Sequence, residues 1–227
     1  MTLSQPALVA FGIFCAYTAL VAVMWKATGT RYDDLVESRS TVLRGIVLLI
    51  GVGAVLLAIV TTWLGWWQLT LFEEARSGPA WVLIVPILFG LVALINIASI
   101  DFRAPKARLL PWLLIGTLLV GFAEELVTRG ILVVGFRQAG WNELAVWLGS
   151  SLLFGLLHAI NVLFGQSVKM TITQMVLAFV AGTALFVTLV STGTLLVGMV
   201  LHALWDFGAL GVKATGGKQR RVAGLLS

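Results

Sequence analysis

The sequence predicts an all-α fold, a polytopic transmembrane helical bundle of about seven spans with an eighth allowed, and three observations carry that prediction. Of 227 residues, 59% are hydrophobic and 11% charged, with a mean hydropathy of +1.03, whereas a soluble domain keeps about a quarter of its residues charged to cover its surface. A hydrocarbon core about 30 Å thick needs about twenty apolar residues at about 1.5 Å rise each, and seven such stretches can be drawn, at 7–25, 42–64, 80–100, 109–136, 145–164, 172–190 and 193–212. Lys and Arg are also distributed unevenly between the two sets of connections. A secreted disulfide scaffold, a disordered tail protein and an ordinary cytosolic enzyme are excluded by this composition. The single cysteine, Cys15, lies in an apolar run, so neither an internal disulfide nor a cysteine-based zinc site is available.

The first stretch has no basic segment before it and is followed by Lys26 and Arg31, which predicts an uncleaved first helix with its amino terminus outside. The resulting cytoplasmic segments carry Lys26, Arg31, Arg39, Arg44, Arg103, Lys106, Arg108, Lys169, Lys213, Lys218, Arg220 and Arg221, against Arg76 and Arg137 outside. The net charge of +5 therefore reflects topology, and the expected partners are membrane lipids and not nucleic acid. The tail GGKQRR at 216–221 is basic enough to lie against anionic headgroups. The longest polar connection, 26–41, mixes Arg31, Asp33, Asp34, Glu37 and Arg39. Pro86 is expected to kink the third helix. Gly90, Gly121, Gly155 and Gly182 permit close helix approach with no functional reading, and Trp63, Trp66, Trp67, Trp81 and Trp141 sit near helix ends as interfacial anchors. No repeat or linker divides the chain, so 1–227 reads as a single membrane domain; its compact size and loops suggest a bacterial cell membrane, and its oligomeric state stays open.

The informative residues are ionisable groups at membrane depth, where an unpaired charge costs several kcal/mol. They are Glu124, Glu125 and Arg129 in the fourth stretch, His158 in the fifth, and His202 and Asp206 in the seventh; the two histidines are the only ones present. Glu125 and Arg129 stand four apart with the acid first, the favourable order for an intrahelical ion pair, which reads as structural support. Glu124 projects about 100° away and is left for a different partner, making it the candidate general base. His202 and Asp206 share a face at i and i+4, so the acid can orient or charge the imidazole. His158 follows Phe154 by four residues and Gly155 by three, which suggests a fixed ring beside open space.

Taken together, EELVTR at 124–129, FGLLH at 154–158 and HALWD at 202–206 resemble the EExxxR, FxxxH and HxxxN/D motifs of the CPBP family. These are the CAAX proteases and bacteriocin-processing enzymes, the Abi or Ras-converting-enzyme type of intramembrane glutamic endopeptidase. The resemblance covers about 110–210, which would hold the catalytic core. It implies peptide-bond hydrolysis in a membrane-associated or CAAX-like peptide, without metal or cofactor: Glu124 and His158 would activate a water while His202 and Asp206 stabilise the oxyanion. One branch of the family has asparagine where Asp206 stands, and an ionised carboxylate cannot donate as an amide does; an ionised Asp206 making His202 the cationic donor is the preferred form. Three other functions compete: a zinc site built from the same acids and histidines, a transporter, and a non-catalytic scaffold or bacteriocin-immunity protein of the same fold. One difficulty is depth. Counted from the cytoplasmic ends, Glu124 lies about 13 Å deeper than His158 on straight helices.

Overall fold

A computed structural model describes residues 5–73 and 80–216. Seven helices among these are long and apolar enough to cross a membrane: Gln5–Thr28, Arg39–Leu64, Ala80–Ala98, Pro105–Gln138, Glu143–Phe164, Val168–Thr192 and Leu195–Thr215. They correspond one to one with the seven expected stretches, and the protein is an integral multi-pass membrane protein. Arg76, Lys218, Arg220, Arg221 and the basic tail beyond Gly216 lie outside the described residues. No strand occurs among the described residues; one isolated bridge pairs Phe72 with Thr194.

Helices dominate because a bilayer interior offers no water to satisfy backbone groups. Their ends carry their own acceptors: Ser38, Asn142, Ser167 and Thr194 each accept a backbone N–H of the first turn. Between the sixth and seventh spans only Gly193 and Thr194 intervene, and the reversal needs the left-handed φ of +71° at Gly193. At that end of the bundle the short helix Trp67–Leu71 folds back, with Thr194 Oγ1 donating to the Leu71 carbonyl at 3.0 Å and Glu73 N–H to the Gly193 carbonyl at 2.9 Å. At the opposite end Glu37 and Lys106 pair at 2.6 Å, and Trp25 stacks on Phe164 at 4.4 Å.

The fourth and seventh spans form the centre, packed against each other, with the second, third, fifth and sixth around them. Small residues set these approaches, as helix association in lipid requires. Gly121 meets the backbone of Met199 and Ala203, Gly155 meets the Met175 carbonyl, and Gly208 faces Asn96 and Ala93. Outward faces carry Leu, Ile and Val, among them Val55, Ile87, Leu94, Leu152 and Val176. Trp63 and Trp81 are exposed near span ends as anchors would be, whereas Trp141 stacks on Phe136 at 4.3 Å and belongs to the packing.

Two expectations change. Pro86 falls at the third residue of the α-helical segment Ile84–Ala98, directly after a 3-10 turn at Ala80–Leu83. There its missing N–H costs no α-helical hydrogen bond, so it marks the transition between helix types and does not kink a helix interior. The fourth span is also not one α-helix: a 3-10 turn at Pro105–Leu109 leads to α-helix Leu110–Glu125, a π-helical segment Leu126–Ile131 and α-helix Leu132–Gln138.

A bulky side chain at Gly121 must push the fourth and seventh spans apart. Gly121→Leu is expected to lower stability by about 1–3 kcal/mol, while Gly12→Ala, which meets nothing within 4 Å, stays within about 1 kcal/mol of the natural protein. Equilibrium unfolding in detergent measures both.

Candidate active site in the bundle core

The residue pattern at 124–129 brings two carboxylates and a guanidinium to one turn of the fourth span, which with the seventh is the most buried. Arg129 Nη1 donates to Glu125 Oε1 at 2.9 Å, and both side chains are completely buried. The π-helical segment starting at Leu126 carries Thr128, whose hydroxyl donates to the Glu124 carbonyl at 2.5 Å and accepts from Arg129 Nη1 at 2.7 Å. Single π turns in otherwise regular helices recur at functional sites because they re-aim side chains.

His202 of the seventh span enters the same cluster. Its Nδ1 lies 3.0 Å from Glu125 Oε1; a carboxylate paired with arginine can only accept, so Nδ1 carries the hydrogen. The Nε2 edge faces Asp206 Oδ2 at 3.6 Å and Glu124 Oε2 at 4.0 Å, both beyond hydrogen-bond range. Of the two roles expected of Asp206, it makes no hydrogen bond that would orient this ring, but it stands within ion-pair distance of an imidazolium. Glu125 holds Nδ1 instead, because the close packing at Gly121 and Gly198 carries the seventh span to within reach of the fourth; a Cβ on Gly198 would lie 3.6 Å from Glu125 Oε2.

His158 ends the α-helix Glu143–Leu157 and begins a 3-10 segment to Phe164. Its Nδ1 donates to the Phe154 carbonyl at 3.0 Å, leaving Nε2 as the free ring nitrogen. The Phe154 ring stands perpendicular to both imidazoles, with centroids 5.3 Å from His158 and 5.5 Å from His202. Arg129 Cζ lies 4.0 Å from the centre of that ring, a cation over an aromatic face.

This contact answers the depth difficulty. The fourth and fifth spans run in opposite directions, so with Arg129 level with Phe154, four residues back along one and four forward along the other place Glu125 and His158 one turn, about 6 Å, toward the same end. The 3-10 segment His158–Phe164 that closes the fifth span, rising about 2.0 Å per residue in place of 1.5 Å, recovers about 3 Å of the difference.

Two glycines differ from expectation. Gly155 does not open space beside His158; a Cβ there would lie 2.7 Å from the Met175 carbonyl, so the missing side chain serves packing against the sixth span. Gly182 does have a site role, since a Cβ would lie 2.6 Å from Arg129 Nη2 and 3.1 Å from Phe154 Cδ1. It is the niche for the guanidinium, a role with no local signal in the sequence.

Side-chain exposure rises from zero at Glu125 and Arg129, through 7% at His202 and 14% at Glu124, to 30% at Asp206, so the cluster is approached from the Asp206 side. Gln174 organises polar groups at that end. Asn161 and Gln166 donate to Gln174 Oε1 at 3.0 and 2.8 Å, and the Gln174 amide donates to the Tyr32 hydroxyl at 3.1 Å. Burial pushes the Tyr32 phenol above its ordinary value; the Gln174 bond pulls it down, and the fields of Asp206, Asp33 and Glu124 raise it further, so the group is a neutral hydroxyl. Sequence reasoning missed Tyr32 and Gln174, which stand 142 positions apart. Among the described residues, no three His, Cys, Asp or Glu side chains are grouped to hold a metal ion.

Residues 106–208 match the family model described as type II CAAX prenyl endopeptidase Rce1-like. The matched segment, a little under half of the chain, is similar to the CAAX protease, or CPBP, family. It spans all six charged and imidazole residues of the cluster and most of the fourth to seventh spans, and it supports intramembrane endopeptidase activity in general. No curated protein and no solved structure matches the chain.

Arg129 and Glu125 form a completely buried ion pair, so removing the guanidinium alone leaves a buried carboxylate without its permanent cation. Arg129→Met is expected to cost about 3–5 kcal/mol, and the pair Glu125→Leu/Arg129→Met less than Arg129→Met alone. A double-mutant unfolding cycle in detergent checks this; additive losses contradict it.

Proposed function

We propose that the protein hydrolyses a peptide bond in a membrane-associated or CAAX-like substrate, with the catalytic core within 110–210 and no metal. The observation that carries this reading is the division of labour between adjacent carboxylates. Glu125 Oε1 is tied by both Arg129 and His202, while Oε2 of Glu125 and Oε2 of Glu124 are each buried with no hydrogen-bond partner among the described residues, so Glu124 is the one not held by a buried cation at hydrogen-bond distance. A carboxylate so placed can take a proton from an attacking water.

In the proposed step the water is held between Glu124 and His158, whose Nε2 can accept from it because Nδ1 is committed to Phe154. The water oxygen attacks the scissile carbonyl carbon and its proton passes to Glu124. Negative charge developing on the carbonyl oxygen is met by His202 in its imidazolium form, donating from Nε2 beside an ionised Asp206. As the carbon–nitrogen bond breaks, Glu124 returns the proton to the leaving amine. Glu125 and Arg129 act as supporting residues by fixing the His202 ring.

Orientation belongs to the same proposal. Lys26, Arg31, Arg39, Arg103, Lys106, Arg108 and Lys213 gather at the end carrying Tyr32, against Arg137 at the other, which supports placing that end, and the approach to Asp206, in the cytoplasm of a bacterial cell.

A peptide-cleavage screen of the detergent-purified protein tests the reading. Glu124→Ala and His158→Ala are each expected to lower the rate by about 10²–10⁴-fold. Asp206→Asn is expected to retain substantial activity while Asp206→Ala loses it, and a strong chelator leaves the rate unchanged. Cleavage by the Glu124→Ala variant at the natural rate overturns the assignment.

A further inference from the structure

The first span lies outside the family match, yet it contributes one polar side chain to the interior at the depth of the site. Tyr17 is 4% exposed, and its hydroxyl is buried with no hydrogen-bond partner among the described residues. The ring is seated against Gly53 of the second span, where a Cβ would lie 2.8 Å from Cε2 and 3.4 Å from Cδ2. Only the bare glycine admits it.

The level of that niche follows from the register of the second and fourth spans, which run in the same direction. Gly116 faces Ile46 and Val47, and Gly51 faces Leu119. Two residues beyond Gly51, Gly53 therefore falls beside the turn near Gly121, about one turn before Glu124. Among the buried atoms of this region without a hydrogen-bond partner, Tyr17 Oη has a hydrogen to give, and Glu124 Oε2, like Glu125 Oε2 beside it, can as a carboxylate only accept. Packing does not account for the hydroxyl, since phenylalanine would fill the Gly53 niche without burying an unpaired polar group.

We propose that Tyr17 is a positioning residue for Glu124: its hydroxyl donates to the attacking water held at Glu124 Oε2, and so keeps that water where the carboxylate receives its proton. The inference rests on the reading of Glu124 as general base. It gives the first span a part in the reaction that neither the three motifs nor the family match assigns to it.

The test compares the natural protein, Tyr17→Phe, Gly53→Ala and Glu124→Gln, all full chain in detergent. Tyr17→Phe is expected to lower kcat by about 10- to 100-fold with KM within about twofold, while its unfolding midpoint stays level or rises because an orphan hydroxyl is gone. Gly53→Ala, which displaces the ring and keeps the hydroxyl, is expected to lower kcat likewise. Infrared spectroscopy supplies a readout independent of turnover: the carboxylate band lost in Glu124→Gln is expected to shift in Tyr17→Phe. An unmoved band, or natural kcat in Tyr17→Phe, overturns the proposal. If Glu124→Gln cleaves at the natural rate, the general-base reading fails instead, and the band alone decides whether Tyr17 and Glu124 interact.

Discussion

One carboxylate oxygen, Glu125 Oε1, receives hydrogen bonds from Arg129 on its own helix and from His202 across the bundle, and the arrangement of the core depends on it. In a hydrocarbon interior no water replaces a lost partner, so the three groups must stay together or the fourth and seventh spans come apart. The bond fixes the His202 ring by Nδ1 and presents Nε2 to Glu124 and Asp206. The adjacent glutamates therefore differ in one oxygen: Glu125 Oε1 is held twice, while Oε2 of each is buried with no hydrogen-bond partner among the described residues.

Holding a guanidinium in such a place demands a shaped cavity as well as a counter-charge. Phe154 offers its ring to Arg129 and stands perpendicular to both imidazoles, so one apolar side chain sets the spacing of three polar ones. Gly182 leaves the volume that the guanidinium occupies, and the π turn at Leu126–Ile131 aims Thr128 and Arg129 inward together. Each element is ordinary in isolation. Their common effect is to bring groups from three spans to one level, although those spans begin and end at different depths.

The surrounding spans separate this chemistry from lipid. The first packs along the Leu132–Gln138 end of the fourth, where Gly135 receives Ala10, and the fold-back at Trp67–Leu71 covers the π turn through Thr70 and Gly130. Access lies at the opposite end, where Asp206 is the most exposed member of the cluster and Tyr32, Asn161, Gln166 and Gln174 form a polar surround. A family match confined to 106–208 agrees with this division, since the first three spans contribute enclosure more than charge.

What the sequence by itself determined was everything governed by local spacing and by the cost of burying polarity. Seven apolar stretches had to become seven helices because backbone groups in lipid must bond internally, and Glu125 had to meet Arg129 because four residues make about one turn. The identity of the cluster was legible for the same reason, as six ionisable groups at membrane depth stand out against an apolar chain. The tertiary structure alone decided which partner each took. His202 went to Glu125 and not to Asp206, Gly182 became the seat of Arg129, and Tyr17 reached the level of Glu124. These choices turn on interhelical register, and register is set by glycines, 3-10 ends and a π turn whose effects appear only when residues tens of positions apart are brought into contact.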